Sequence, residues 1–361
     1  MSHAQVLQPG KGPIRSPLYL PAGPDTVLWG RLPCARDRPV LTVDAGAEVT
    51  IDTLSHEGIL EDQGRDPAAF FGTLGVGRDQ VLDDAVELAA SGYARDAAAD
   101  GPHVVTGPIH VRGAQPGDLL QITVLETLRR VPYGVISSRH GRGALPGEHP
   151  AAPGTVSIFA GVDDVGGVAM GTLARTAGAE RTIRFPLAPF LGIMGVAVAG
   201  ETRPHSVPPG PHGGNLDLKL LTVGSALYLP VQVPGALAYV GDPHFAQGDG
   251  EVALTALEAS LRVTLRFDVV PAREALARFG RLEGPLVETA EFLVPTGLDA
   301  DLDEAVRACV RAAVALLGAR FGLDAAHAYA YLSAATDFDI SQVVDQVKGV
   351  HARIRIADFD A

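Results

Sequence analysis

Cysteine is nearly absent. The 361-residue chain has two, Cys34 and Cys309, far apart in sequence. That excludes a disulfide framework and fits a reducing compartment. Aromatic residues make up only 6%, so the core must be built mainly from Val, Leu, Ile and Ala. Long hydrophobic runs are missing too. FLGIMGVAVA is interrupted by Gly and is too short to span a bilayer. The opening MSHAQVLQPGKGP has no apolar stretch of the secretory kind. These absences lead us to expect a cytoplasmic chain with no membrane partner. Positive charge is scarce, with 29 Lys and Arg against 42 Asp and Glu, a balance of −13. Such a surface repels phosphate backbones, so nucleic acid is not an expected partner. The acidity is spread along the chain, as solubility alone would require.

Several catalytic signatures are also missing. There is no G-x-S-x-G elbow, no phosphate-binding G-x-x-x-x-G-K-[ST] loop and no dinucleotide fingerprint after a strand. Cys34, in RLPCARD, has no neighbouring base to make it a nucleophile.

Gly and Pro, by contrast, are abundant, with 42 and 27 residues scattered along the chain. They cut it into short pieces, which points to β-structure rather than a helical bundle. The length suggests two or three structural units. LRVTLRFDVV (261–270) alternates Leu261, Val263, Leu265, Phe267 and Val269 with Arg262, Thr264, Arg266 and Asp268, the pattern of a half-buried strand. Further strands are expected at 104–111, 119–125, 155–160, 193–198, 226–233 and 350–356, with Pro116-Gly117 turning between the first two. Helical spacing marks 79–92 and, most clearly, 301–321. In the latter, acidic residues cluster at the start, Gly322 follows the end, and Cys309 falls on the apolar stripe. A helix pair is expected at 324–334 and 339–348. The predicted fold class is mostly β (α+β overall). Residues 1–270 form a β-rich catalytic core of sandwich and barrel-like subdomains, and 271–361 an α+β segment packed on it.

Polar residues that could carry chemistry concentrate late in the apolar run 214–254. Asp242 and His244 are two apart, as are Asp249 and Glu251, so in extended structure each pair shares a face. Phe245 to Gly248 between them is short enough to fold back. Carboxylates and an imidazole converging on one point repel unless a divalent cation sits among them, or unless one carboxylate stays protonated as an acid–base group. The bland alternative is a solvated acidic turn, and spacing alone does not separate the two. A second cluster, TRPHSVPPGPHGGNLD (202–217), holds His205, His212, Asn215 and Asp217 around a Pro-rich bend. Two polar loops, 55–64 with His56 and Glu57 and 137–150 with Arg139, His140, Arg142 and His149, suit a pocket mouth equally well as plain surface.

The run HGGNLDLKLLTVGSALYLPVQVPGALAYVGDPHFAQGDGE (212–251) resembles the acetamidase/formamidase family. So do DGPHVVTGPIHVRGAQPGDLL (100–120), PFLGIMGVA (189–197) and YLSAATDFDISQVVD (331–345), in the expected order. The resemblance implies hydrolysis of a small linear carboxamide, formamide- or acetamide-like, to carboxylate and ammonia, by a homo-oligomer. Carried over by position, Asn215, Asp217, Asp242, His244, Asp249 and Glu251 become the site. Glu251 is the expected proton carrier, with Asn215 and Asp217 beside it in the catalytic set. Asn215 and the Gly213-Gly214 backbone are expected to donate to the developing oxyanion. Asp242, His244 and Asp249 are the expected ligands of a divalent metal, zinc first, with calcium or manganese as alternatives. His56, His140 and His212 are expected to line the substrate pocket. The loops 52–75 and 137–150 depart from the simple acetamidase pattern, which leaves the amide itself open. The rival readings are a non-catalytic β-rich binding protein for a small polar ligand, and a hydrolase or lyase of another small polar substrate.

Overall fold

Short alternating segments separated by Gly and Pro must find their hydrogen-bond partners far along the chain. The protein meets that demand with two large sheets. A computed structural model describes residues 6–359; the part of the opening-segment reading that concerns residues 1–5 lies outside the described residues.

The first sheet has nine strands. At its centre Leu261–Val270 pairs with Leu119–Arg129 on one side and Ala47–Asp52 on the other. It runs on through Ala226–Pro230, Leu286–Glu288, Phe292–Asp299 and Lys348–Arg355 to Asp337–Gln342 at the edge, so its strands come from both sides of residue 270. Val263, Leu265, Phe267, Leu120, Ile122, Leu227 and Leu229 are buried between the layers.

The strand over 261–270 has the expected bounds but is not half-buried. Arg262 and Thr264, on its polar face, are both fully buried. Arg262 makes a bidentate pair with Asp52 at 2.6 and 3.0 Å and donates to the carbonyls of Gln8, Lys11 and Pro13. The N-terminal segment thus covers the polar face, and the guanidinium is buried because its donors are satisfied.

The longest helix, Leu302–Phe321, is capped as its sequence predicts. The Asp301 side chain accepts from the Glu304 amide at 3.1 Å, and Gly322 ends the helix with φ +73°. Cys309 is fully buried on its apolar stripe, against Pro295 and the strand Lys348–Arg355. The expected helix over 339–348 is not formed. Its first part belongs to the strand Asp337–Gln342, paired antiparallel with Lys348–Arg355. The remainder is a loop tied by Gln342, whose side-chain oxygen accepts from the amides of Val344 and Asp345. Ile340, Val343 and Val344 are β-branched and suit extended backbone better than a helix. No helix among the described residues is long and apolar enough to cross a membrane.

The second sheet has eleven strands, and it positions the polar cluster. Ala238–Ala246 is flanked by Phe190–Gly195, by Val104–Arg112 and by Leu257–Glu258. All of Ala238 to Phe245 is buried, so the polar residues in that run are carried into the interior.

Candidate functional site

Asp242 and His244 leave the strand Ala238–Ala246 toward one point, as their spacing predicts. His244 Nε2 lies 3.2 Å from Asp242 Oδ2. The neighbouring strand adds Glu258, in register with His244, whose Oε1 is 3.1 Å from the same nitrogen. Opposite Asp242, between the pairs Leu191–Pro243 and Ile193–Gly241, stands Gly192. A Cβ built there would lie 2.7 Å from His244 Cε1 and 2.8 Å from Asp242 Oδ2, and closer still to Asp217 Oδ1. Gly192 is therefore the cradle into which three site side chains lean. Its carbonyl also accepts from the amides of Leu216 and Asp217 at 2.9 and 3.2 Å, which fixes Asp217 against the cluster.

Glu251 arrives by a different route. Gly250 is stitched to the strand end at 341–343, its amide donating to Ser341 and its carbonyl accepting from Val343 at 3.0 and 3.1 Å. The chain then turns at Glu251 with φ +46°. This brings the Glu251 carboxylate within 4.8 Å of those of Asp217 and Asp345. Asp217 (φ +46°) and Asp242 (φ +51°) are left-handed as well. Each such residue costs about 1–3 kcal/mol and persists only where its surroundings over-determine it.

Two histidines complete the floor. His103 Nδ1 is 3.0 Å from Ser206 Oγ, and its Nε2 faces Asp242 Oδ2 at 3.9 Å. His56 Nε2 faces Glu57 Oε1 at 3.4 Å, and its Nδ1 faces Asp242 Oδ1 at 3.5 Å. His103 is thus held at Nδ1 by Ser206, while the His56 ring stands between Glu57 and Asp242 without an aligned hydrogen bond to either. Glu57 is held in turn by Ser137 and Gln63, which donate to its Oε2 at 2.6 and 2.5 Å.

The cluster is electrostatically unsettled. Both oxygens of Asp217, Oδ1 of Asp242, Oε2 of Glu258, Oδ2 of Asp345, Oδ1 of Asn215 and both nitrogens of His56 and His244 are buried with no aligned hydrogen-bond partner. Burial, with the charges of Asp345, Glu258 and Asp242, holds Glu251 well above the usual carboxylate range. Burial and the Glu251, Asp345 and Asp242 carboxylates do the same to Asp217. Asp345 is pushed up to about 7, chiefly by burial. Asp242 goes the other way: burial opposes its charge, but His103, His244 and His56 outweigh that and hold it well below the usual range. Burial also disfavours charge on His56, yet Asp242, Glu258 and Glu57 raise it to about 10. His103 has burial and two neighbouring imidazoles against it, with Asp242 opposing, and falls to about 4. Unpaired buried carboxylates facing imidazole nitrogens are the donor set of a divalent-cation site.

His56, His103, Asn215, Asp242, Glu251, Glu258 and Asp345 all line one cleft of about 740 Å³. Residues 197–357, which include five of these seven, match the Acetamidase/Formamidase family. An acetamidase of Mycolicibacterium smegmatis is 32% identical over 199 residues. The solved structure of an acetamidase from Bacillus halodurans has a TM-score of 0.72 at 26% identity, covering 95% of this chain and 99% of that one. Over residues 197–357 the chain is similar to the acetamidase/formamidase family.

A formamidase of Methylophilus methylotrophus is a further relative, 27% identical over 248 residues. The match to the M. smegmatis acetamidase takes in 42% of this chain and 49% of that protein, and the match to the formamidase 57% and 60%. The chain therefore spans about half to three-fifths of the relatives it matches. An acetamidase structure from Yersinia enterocolitica, 24% identical with a TM-score of 0.73 over 98% of this chain and 95% of that one, shares the fold.

Within the chain, the sequence-predicted residues separate into two groups. Asn215, Asp217, Asp242, His244, Glu251 and His56 meet in and beneath the cleft floor. Asp249 does not. It lies at the surface in an ion pair with Lys219 at 2.6 Å, because the turn at Gly248 to Glu251 breaks the two-residue alternation that would have put it beside Glu251. His140 is exposed on the mouth loop, its Nδ1 3.0 Å from the Pro150 carbonyl. His212 is buried beside Gly210 and Gly214, outside the cleft lining. The Gly213 amide is committed to the Gly210 carbonyl at 2.9 Å, so it is not free to serve an oxyanion. The residues that sequence reasoning missed are His103, Glu258 and Asp345. His103 and Asp345 stand inside blocks that carry the family resemblance, whereas Glu258 enters only through strand pairing with His244.

Proposed function

We propose that this protein is a metal-assisted hydrolase of small linear carboxamides, formamide- or acetamide-like, releasing carboxylate and ammonia. The observation that carries the reading is the pair of histidines His56 and His103, each with one ring nitrogen toward an outer group, Glu57 or Ser206, and the other facing Asp242. Outer groups that fix ring orientation in this way are characteristic of metal-ligating imidazoles. The orphaned buried atoms around Asp242 fit a divalent cation held by His56, His103 and Asp242, with zinc favoured by the mixed imidazole and carboxylate set.

Such a cation, when bound, supplies Lewis-acid polarisation of the amide carbonyl and makes neighbouring water more acidic. The chain's own residues do the proton work. Glu251 takes the proton of the attacking water as its oxygen bonds to the carbonyl carbon. It then hands that proton to the nitrogen as the C–N bond breaks, so the carboxylic acid and ammonia leave and the acid ionises in water. Burial and the neighbouring carboxylates raise its affinity for protons, which strengthens it as a base once ionised. Asp217 and Asp345, beside it, share the proton load of the cluster. Asn215 lines the same floor and orients the amide through its side-chain carboxamide. The two buried free cysteines agree with a cytoplasmic setting.

The test is metal analysis of the purified protein together with ammonia release from formamide, acetamide and propionamide. Full activity in metal-free protein overturns the metal mechanism. Tight binding of these amides with no ammonia released overturns hydrolysis in favour of a binding protein.

A further inference from the structure

The cleft is larger than a two-carbon amide needs. Its volume of about 740 Å³ lies in the range of about 300–1,000 Å³ that drug-sized ligands occupy. The floor is the carboxylate and histidine cluster, His103 and Asp345 included, while Arg95, Asp100, Arg139, Arg142 and His205 line the rest of the cleft.

Charge is distributed unevenly at the cleft mouth. Asp100 pairs with Arg31 at 2.6 Å, Asp62 with Arg139 at 2.7 Å, and Glu61 with Arg95. Each of these carboxylates therefore has its guanidinium. The reverse does not hold. Arg142 lines the mouth, is exposed, and has no ion pair among the described residues. Arg139 uses Nε for Asp62, and its Nη2, 3.9 Å from Glu57 Oε1, is buried with no hydrogen-bond partner. Lys348 does not add to this pair, since its ammonium is turned to the Ala300 carbonyl. Across the mouth, His205 is held below its ordinary value by burial and by the charges of Arg31, Arg142 and Arg95, with Asp100 opposing. The upper wall is thus locally positive on a chain whose net charge is −13.

We propose that the substrate is the monoamide of a dicarboxylic acid, its carboxamide on the floor and its free carboxylate at Arg142 and Arg139 Nη2. This rests on the amide-hydrolase reading and narrows its substrate class. The orientation follows from charge. Asp217, Glu251, Glu258 and Asp345 repel a carboxylate at the floor, and a planar guanidinium accepts one in bidentate geometry at the mouth. Arg139 ends the strand Tyr133–Arg139, and Arg142 stands three residues on, in the turn that follows it.

The experiment compares kcat/KM for ammonia release from succinamate and glutaramate with that from butyramide, using the full chain loaded with its metal. The expected result is a preference of at least about tenfold for the acid-bearing amides, the size of one charge-assisted hydrogen bond. That preference should shrink toward unity in Arg142→Gln, partly return in Arg142→Lys, and weaken at about 1 M ionic strength, where the screening length is about 3 Å. Equal or better use of butyramide overturns the substrate class and leaves amide hydrolysis standing. A preference that neither Arg142→Gln nor salt reduces overturns the assignment to this wall. No ammonia from any of the three overturns both this inference and the reading beneath it.

Discussion

His56 Nδ1 lies 3.5 Å from Asp242 Oδ1, while the opposite nitrogen of the same ring lies 3.4 Å from Glu57 Oε1. The imidazole is thus fixed between an outer carboxylate and the one at the centre of the site. Glu57 is itself fully buried and anchored by Ser137 and Gln63. It touches the cleft floor only through His56, so its expected effect is on metal retention. Glu57→Gln should lower metal affinity by about 10–100-fold, the usual cost of losing an outer partner. Competition with a chelator, read by metal analysis, checks this. Unchanged affinity in a folded Glu57→Gln protein would show that His56 is not oriented through Glu57.

Glu251 and Asp249 give opposite expectations although they are two residues apart. Glu251 is buried in the cleft with Asp217 and Asp345, whereas Asp249 sits at the surface on Lys219. Glu251→Gln should lower kcat by about 10²–10⁴-fold while metal content holds, as loss of a general base does. Asp249→Asn should stay within about twofold, since exposed ion pairs contribute about 0–1 kcal/mol. Steady-state kinetics and metal analysis on the two variants decide it. A large loss in Asp249→Asn with Glu251→Gln active would reverse the roles.

That pair also marks where the sequence stops being legible. Alternation showed the strand over 261–270, and cap residues showed the helix from Leu302 to Phe321. The convergence of Asp242 with His244 followed from simple two-residue spacing because that segment is extended. The same rule failed at Asp249 because Glu251 is left-handed and Gly250 is tied to Ser341, ninety residues on. Glu258 and Asp345 reach the site only through long-range pairing, which leaves no local pattern to read. Arg262 looked like a solvent-facing residue for a related reason. Its burial depends on Asp52 and on carbonyls near residue 10.

The unsettled charges of the floor predict how metal-free protein responds to pH. His56 rises from an ordinary 6.5 to about 10, and Asp345 from 3.8 to about 7. His244, Glu251 and Asp217 are raised as well. The folded protein therefore holds these protons more tightly than the unfolded chain, and removing them favours unfolding. His103, depressed to about 4, acts in the opposite sense only below its ordinary 6.5. From pH 6.5 to 10 the cited shifts of the floor thus share one sign. Thermal melts of chelator-treated protein should show Tm falling across that interval. Restoring the metal should flatten the fall by neutralising the carboxylates, and Asp345→Asn should reduce its lower part. A Tm that rises between pH 6.5 and 10 in metal-free protein contradicts this account of the floor.

Gly192 offers the sharpest steric test, because no titration enters it. Its φ lies outside the left-handed region, so an added methyl is not excluded by backbone strain. What excludes it is the approach of His244 Cε1 at 2.7 Å and Asp242 Oδ2 at 2.8 Å, with Asp217 Oδ1 nearer. The His244 ring cannot step back easily, since Phe190 packs edge-on against it at 5.0 Å between ring centres. Gly192→Ala should therefore spread the three side chains and cost about 1–3 kcal/mol of stability, as overpacking does. The larger effect should fall on turnover, since displacing reacting groups by about 1 Å costs about a hundredfold. Gly248→Ala is the matched control, because a Cβ there meets nothing within 4 Å. Ammonia release and melting of the two variants, side by side, separate a site effect from a general one. Near-normal turnover in Gly192→Ala would mean that Asp217, Asp242 and His244 do not need to converge.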